Sequence, residues 1–516
     1  MRGARTLSGT PAGRLRSLRL GVLACTCAAL AACAVGPDYR KPDVTVPVSW
    51  KVEAPWREAQ PGDALDKGPW WKHFGDAELD ALEDQALASN PTLALAAARL
   101  AQARALVGAS SAALYPQVGL TARDARQRIS ANRPLTNYNS PNYATTQNDY
   151  LLQFNASYEA DLFGRVQRAV EGAQAAAQQS EADLRNTRLL LTADLASNYF
   201  NLRATDIELD VVQRSIDWQR RALDFVSARH DLGAVPGIDV AQQRALLEST
   251  LTQVDLLQKQ RAQYEHAVAA LIGQPAPNFS IAPAVQPIAP PAVPLGLPSD
   301  VLERRPDVAA AERAMAAANA QIGVAKAAFF PSVTLGAALG VDSRRSAALF
   351  DAPSMLWSLG VTAVQTVFDG GRTRANVDFA QAGYEATVAS YRRVVLAAMQ
   401  EVEDGITGLA ALERASTQAQ SAVDAARQVR TMAAYRYEGG ASTFLDVITA
   451  QQSLLAAERQ LAQVQGQRLQ TAVFLVKALG GDWCAPQAQD SSVQGSQAAC
   501  VFTAVAAGAG KANTAP

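Results

Sequence analysis

RPDVAAAERAMAAANAQIGVAKAAFFPSVTLGAALGVD, residues 305–342, changes its period partway along. Nothing interrupts a helix as far as Phe329, and Pro331 then stops it. From there Val333, Leu335, Ala337, Leu339 and Val341 alternate with Ser332, Thr334, Gly336, Ala338, Gly340 and Asp342. A helix followed by a strand with one apolar face is the expectation. The same succession stands earlier in the chain. Asn90-Pro91-Thr92-Leu93 opens a helix that reaches Leu114-Tyr115-Pro116-Gln117-Val118. Laid on the later stretch without a gap, it superposes Gly108 on Gly323, Ala112-Ala113 on Ala327-Ala328 and Leu120 on Leu335.

The likeness continues downstream at a second constant offset. Gly164-Arg165 falls on Gly371-Arg372, Arg229 on Arg436, Gly233 on Gly440, Asp239-Val240 on Asp446-Val447 and Gly273 on Gly480. Shared Pro, Gly and Asp landmarks separate a true duplication from chance Ala-rich similarity. Each copy reads as a helix (90–114, 305–329), two strands, a very long helix (about 164–231, about 371–438), a glycine turn and a returning helix. At 1.5 Å per residue each long helix reaches roughly 100 Å. Val388, Val395, Val402 and Leu409 recur every seventh residue, with a second seam through Tyr384, Tyr391, Ala398, Gly405 and Leu412. Such narrow stripes are coiled-coil faces.

Alternation marks the other strands too. Leu152, Phe154, Ala156, Tyr158, Ala160 and Leu162 interleave with Gln153, Asn155, Ser157, Glu159 and Asp161, and Trp357, Leu359, Val361 and Ala363 with Ser358, Gly360 and Thr362. Runs of this kind fit a transmembrane β-strand, and equally a strand pair on a soluble sheet. Topology decides between them. No helical span follows residue 33, yet the amino terminus addresses a membrane. Lipid leaves no backbone amide unpaired, and about eight strands are the fewest that close a barrel. Four strands per chain therefore demand an oligomer that shares one barrel.

That address is a targeting segment. Arg2, Arg5, Arg14, Arg16 and Arg19 precede an apolar run, Leu20 to Ala32, too short to span a bilayer. It ends in Leu30-Ala31-Ala32-Cys33, the spacing of a lipoprotein cleavage site, which makes Cys33 the candidate lipidation residue. Ala34 follows, not the Asp of an inner-membrane retention signal, so the outer membrane is expected. Of the five cysteines, Cys25 and Cys27 leave with the leader. Cys484 and Cys500 can close a disulfide loop in an oxidising compartment or stay free. Loss of five arginines leaves 42 basic residues against 48 acidic, about −6, with no basic block for nucleic acid. Three histidines lie far apart (His73, His230, His266), and acids such as Glu401, Glu403 and Asp404 fit solvated helix faces. No nucleophile motif, phosphate loop or zinc spacing is present, so neither an enzyme nor a bound metal is expected, and the only attached group is lipid on Cys33. A purely structural coiled-coil lipoprotein would have no use for the strands.

The expected order is a signal peptide (1–32), an N-terminal anchor and periplasmic segment (33–80) and a first repeat (81–273; strands about 116–128 and 149–163). A Pro-rich linker (274–300), a second repeat (301–481; strands about 331–343 and 355–369) and a low-complexity tail (482–516) complete it. The fold class is mainly α with a small β part, built from a duplicated helix–strand–strand–long helix–helix unit.

With Cys33 followed by Gly36-Pro37-Asp38-Tyr39, Pro42, Pro47 and Trp50, the chain resembles the outer-membrane factor family, the TolC-type channels. Trp70-Trp71, Phe74-Gly75, Leu302-Glu303-Arg304-Arg305-Pro306-Asp307-Val308, Phe329-Phe330-Pro331-Ser332 and Phe368-Asp369-Gly370-Gly371-Arg372 carry the same likeness, closest to the lipoprotein branch paired with RND-type pumps. The resemblance implies a homotrimer with a twelve-stranded transmembrane barrel continued by a periplasmic α-helical barrel. It implies passive export of small molecules, with a periplasmic membrane-fusion adaptor and an inner-membrane RND-type pump as partners. A conduit of ATP-driven protein secretion is the alternative. At the periplasmic tip the family's motif falls on Arg229, Gly233, Asp239 and Val240, and on Arg436, Tyr437, Gly440, Asp446 and Val447, which are expected to dock the adaptor, cap the helices, or both. Relatives close that tip with Asp and Arg; here Thr449 and Gln452 hold those places, so no charged latch carries over, and Leu445 is the apolar candidate for the aperture.

Overall fold

The computed structural model describes residues 35–40, 68–132, 134, 142–291 and 305–481. The signal segment, Cys33, residues 41–67, 133, 135–141 and 292–304 (with Leu302-Glu303-Arg304) and the tail carrying Cys484 and Cys500 lie outside them. The described residues form helices α1 (Ala77–Ser89) and α2 (Pro91–Ala112), strands β1 (Gln117–Ile129) and β2 (Thr145–Ala160), and helices α3 (Arg165–Asp231) and α4 (Gly237–Leu271). Then come α5 (Pro306–Ala327), β3 (Ser332–Ser343), β4 (Met355–Val364), α6 (Arg372–Glu438) and α7 (Phe444–Ala478). A 3-10 turn, Trp70–Phe74, precedes α1.

Both repeats end their first helix in the same way. Before Pro116, Ala113, Leu114 and Tyr115 donate to the carbonyls three residues back; before Pro331, Ala328, Phe329 and Phe330 do likewise. Proline excludes the preceding residue from α geometry, so the last turn tightens and the helices stop at Ala112 and Ala327, two residues short of expectation. Three strand limits also differ by more than one residue, one of them the end of β2 at Ala160, three residues short of expectation, where Leu162 N–H already donates back to Ala160 O at 2.9 Å. β2 begins at Thr145, since pairing with β1 runs on from Gln117↔Ser157 to Ile129↔Thr145. β4 ends at Val364, because Asp369 starts the next helix: Oδ1 accepts from Gly371 N at 3.0 Å, and Oδ2 from Thr373 N at 2.9 Å and Thr373 Oγ1 at 2.6 Å.

Two compact units divide the chain. One takes in the described residues before Val46 with Pro91–Arg188 and Pro306–Ala398; the other takes in Pro47–Asn90, Leu189–Arg305 and Met399–Pro516. The first contains the sheet, antiparallel throughout in the order β1-β2-β3-β4, which leaves β1 and β4 as edges. It also seats residues 35–40. Gly36 approaches Gly323 so closely that a Cβ on either would collide with backbone or with Arg168. Asn319 Nδ2 donates to Pro37 O at 2.9 Å, and buried Arg168 reaches Asp38 at 2.9 Å and Glu171 at 2.7 Å.

The second unit is a helical core in which Leu195, Phe200, Leu202, Val212, Leu475 and Val476 are wholly or almost wholly buried. Each such side chain contributes about 1.5–3 kcal/mol. The duplicated helices share one device: Asn90 Nδ2 donates to Leu271 O at 2.7 Å, and Arg305 Nη1 to Ala478 O at 3.1 Å while also holding Glu401 at 2.6 Å. Equivalent residues thus satisfy the end carbonyls of equivalent helices. The stretch after α4 is fastened by charge. Arg261 donates to Ile281 O at 2.6 Å, Glu265 accepts from Ile281 N at 2.6 Å, Arg203 donates to Ala282 O at 2.8 Å and Asp206 accepts from Ala284 N at 3.1 Å.

Candidate functional site

Cross-strand register aligns the apolar positions of all four strands on one face. Val118, Ala156, Ala337 and Leu359 form one row; Leu120, Phe154, Leu339 and Trp357 a second; Ala122, Leu152, Val341 and Met355 a third. Tyr158, Leu335 and Val361 extend the band, then Ala160, Val333 and Ala363. At about 3.4 Å per residue the band measures roughly 27 Å along β2. These side chains face outward uncovered, with Leu120, Phe154, Leu339 and Trp357 57–74% exposed. The opposite face is mainly polar or bare, with Leu151, Leu356 and Val364 among the exceptions: Asn155 donates to Thr121 at 2.9 Å, Arg123 pairs with Asp149 at 2.6 Å, and Gly119, Gly336, Gly340 and Gly360 add no bulk. A sheet with a broad exposed apolar face and two open edges is unfinished as a water-soluble object.

In the second unit the two helix turns come together. Both reverse through a left-handed glycine, Gly233 at φ 73° and Gly440 at φ 71°. Ala234 N returns to Arg229 O and Ala441 N to Arg436 O, each at 2.8 Å, closing the last turn of α3 and of α6 alike. Around them Val226, Leu246, Phe444, Val447 and Ile448 make an apolar core, with Val240 and Tyr437 against it. Arg229 lies 5.2 Å from the Tyr437 ring centre and 5.7 Å from that of Phe225, a cation–π contact joining the two turns. Arg436 is exposed and Nη2 donates to Ala441 O at 3.4 Å. Asp446 closes a capping box with Thr443, whereas Asp239 stands in the first turn of a helix whose cap is Pro236.

Val447 is 3% exposed, so it supports the turn from within and offers no side chain to a partner. Leu445 is 53% exposed. Thr449 Oγ1 donates to Leu445 O at 2.9 Å, and Gln452 is exposed beyond it. No helix among the described residues is long and apolar enough to cross a membrane, and no cluster of His, Cys, Asp and Glu among them is placed to hold a metal ion.

Sequence reasoning missed the fastening of residues 281–284 by Arg203, Asp206, Arg261 and Glu265, a buried carboxyl at Glu83, and a buried polar layer of Ser215, Gln219, Gln243 and Gln451. The first and the last unite residues from different segments; only polar residues interrupting an apolar stripe hinted at the last.

The family model described as outer membrane efflux protein matches residues 82–274 and 297–481. The pyoverdine export outer membrane protein OpmQ of Pseudomonas aeruginosa is 33% identical over 462 residues, 89% of this chain and 95% of its own. The toluene efflux pump outer membrane protein TtgF of Pseudomonas putida is 32% identical over 466 residues, 88% of this chain and 95% of its own. The solved outer-membrane channel OprN superposes with a TM-score of 0.78 at 30% identity, covering 87% of this chain and all of that one.

Proposed function

The chain belongs to the outer membrane efflux protein family, and from that premise we propose that it is the outer-membrane exit duct of a tripartite efflux system, assembled as a homotrimer whose three sheets close one twelve-stranded barrel. One observation carries this reading: the sheet has an exposed apolar band on one face and unpaired edges at β1 and β4. In hydrocarbon every unpaired backbone group costs several kcal/mol, so β1 of one protomer pairs with β4 of the next. The band, roughly 27 Å along strands that tilt by about 35–45°, stands about 20 Å tall and so fills most of the apolar belt of an outer-membrane barrel, about 25 Å. The polar face then lines a wet lumen.

Lipid attachment at Cys33 fits the seat of the residues that follow it. Val35 N–H donates to Phe163 O at 3.2 Å, just past β2. The paired turns suit docking of a periplasmic adaptor, which links the duct to an energised RND-type pump of the inner membrane. The duct itself is passive and calls for no catalytic group. Export of small molecules is favoured over protein secretion, since the relatives are named for pyoverdine and toluene.

Planar-bilayer recording tests the shared barrel. Purified trimer is expected to conduct in discrete steps, while protomers kept apart give none. Conductance from a single chain would overturn it.

A further inference from the structure

Within the second unit a layer of polar side chains lies where two apolar clusters meet, the clusters touching through Leu223. Beside the turns lie Val226, Phe444 and Ile448; on the other side lie Val212, Leu257 and Leu455. The layer consists of Ser215 and Gln219 of α3, Gln243 of α4 and Gln451 of α7, exposed by 6%, 0%, 0% and 3%. Gln219 Nε2 and Gln451 Nε2 donate to Ser215 Oγ at 3.1 and 3.2 Å, and Gln243 Nε2 donates to the backbone carbonyl of Gln219 at 2.9 Å. The three carboxamide oxygens receive no hydrogen bond from the protein. Turning one amide to accept the Ser215 hydroxyl still leaves two buried acceptors, the number that the two protons of one water molecule satisfy.

The duplication supplies an independent comparison. The offset that lays Gly233 on Gly440 carries Ser215, Gln219 and Gln243 onto Ala422, Ala426 and Ala450, and Gln451 back onto Arg244. The layer therefore belongs to the meeting of α3, α4 and α7 and not to the repeating unit. A buried polar layer in a helical bundle fixes register at a cost in stability, and one only partly satisfied is the weakest point of its bundle.

We propose that Ser215, Gln219, Gln243 and Gln451 form a hydrated breakpoint, at which the helix ends bearing the two turns open locally while the cluster beyond stays closed. Water enters the layer, supplies the missing donors and stabilises the separated helices. The opening is a property of this chain's core and holds whether or not the assembled protein conducts.

Hydrogen exchange on the purified, assembled protein, read by mass spectrometry, tests it. Peptides on the turn side of the layer (220–243 and 430–450) exchange together, about tenfold faster than those on the far side (195–212 and 455–476). Replacing the three amides together (Q219L, Q243L, Q451L) slows the turn-side peptides about tenfold and leaves the far side unchanged. Turn-side exchange that is unchanged or faster in this variant overturns the breakpoint. Ser215→Ala reads the same device with opposite sign and keeps the test decisive if the triple variant misfolds. It strands two amide donors and speeds turn-side exchange several-fold; an unaltered rate also overturns the proposal.

Discussion

Glu83 shows how one side chain sets a pH dependence for the fold. It is fully buried, both carboxylate oxygens lack a hydrogen-bond donor, and neighbouring charges of its own helix are Asp84 and Asp80. Burial first, then those two acids, pushes its pKa from the ordinary 4.5 up to about 9. Between these values the folded protein keeps a proton that the unfolded chain has lost, so this group lowers stability progressively as pH rises from about 4.5 to 9. Glu83→Gln keeps the shape and removes the titration. Its denaturation midpoint at pH 7 is expected to rise by the equivalent of about 1–3 kcal/mol, with no gain at pH 4. An equal gain at both pH values would argue against a protonated native carboxyl. Gly340 is a second single-residue constraint: a Cβ there would collide with the carbonyl oxygen of Leu152 on the neighbouring strand.

At the scale of elements, the turns are the places where local sequence and local structure agree most closely. Gly233 and Gly440 sit at positive φ with open space where a Cβ would stand, so a side chain meets backbone strain and no clash. Val at either position is expected to cost the turn about 1–2 kcal/mol and to reduce crosslinking to a periplasmic adaptor. Asn, which tolerates the left-handed conformation, should retain most of it; if Val crosslinks as well as Gly, docking does not depend on the turn. The turns were legible in sequence because glycine reports its own backbone angle. Strand facing was legible for a similar reason, since the alternation from Val333 to Val341 fixes which face each residue takes, whereas the pairing of one strand with the next was not read from the sequence. Helix ends were visible to within two residues, the shortfall being the tightened turn before proline. The grip of Arg168 on Asp38 and of Arg261 on Ile281 was not legible. Such contacts depend on which segments the finished fold brings together, and no periodicity records that.

For the molecule as a whole, attachment and assembly are separable. The seat of residues 35–40 is built from Arg168, Asn319 and Gly323, none of which requires a lipid. Cys33→Ser is therefore expected to lose palmitate labelling and hold less tightly to the outer membrane, yet still form the oligomer. Retained labelling would remove Cys33 from its role. The open strands have a last consequence, for biogenesis. Until β1 and β4 find their counterparts, a newly exported protomer offers two adhesive borders and a greasy flank to every extended peptide it meets. Safe delivery then depends on escort by a chaperone or on maturation at the bilayer itself, and a cell that makes protomers faster than it can pair them accumulates clumped precursor in place of idle spares.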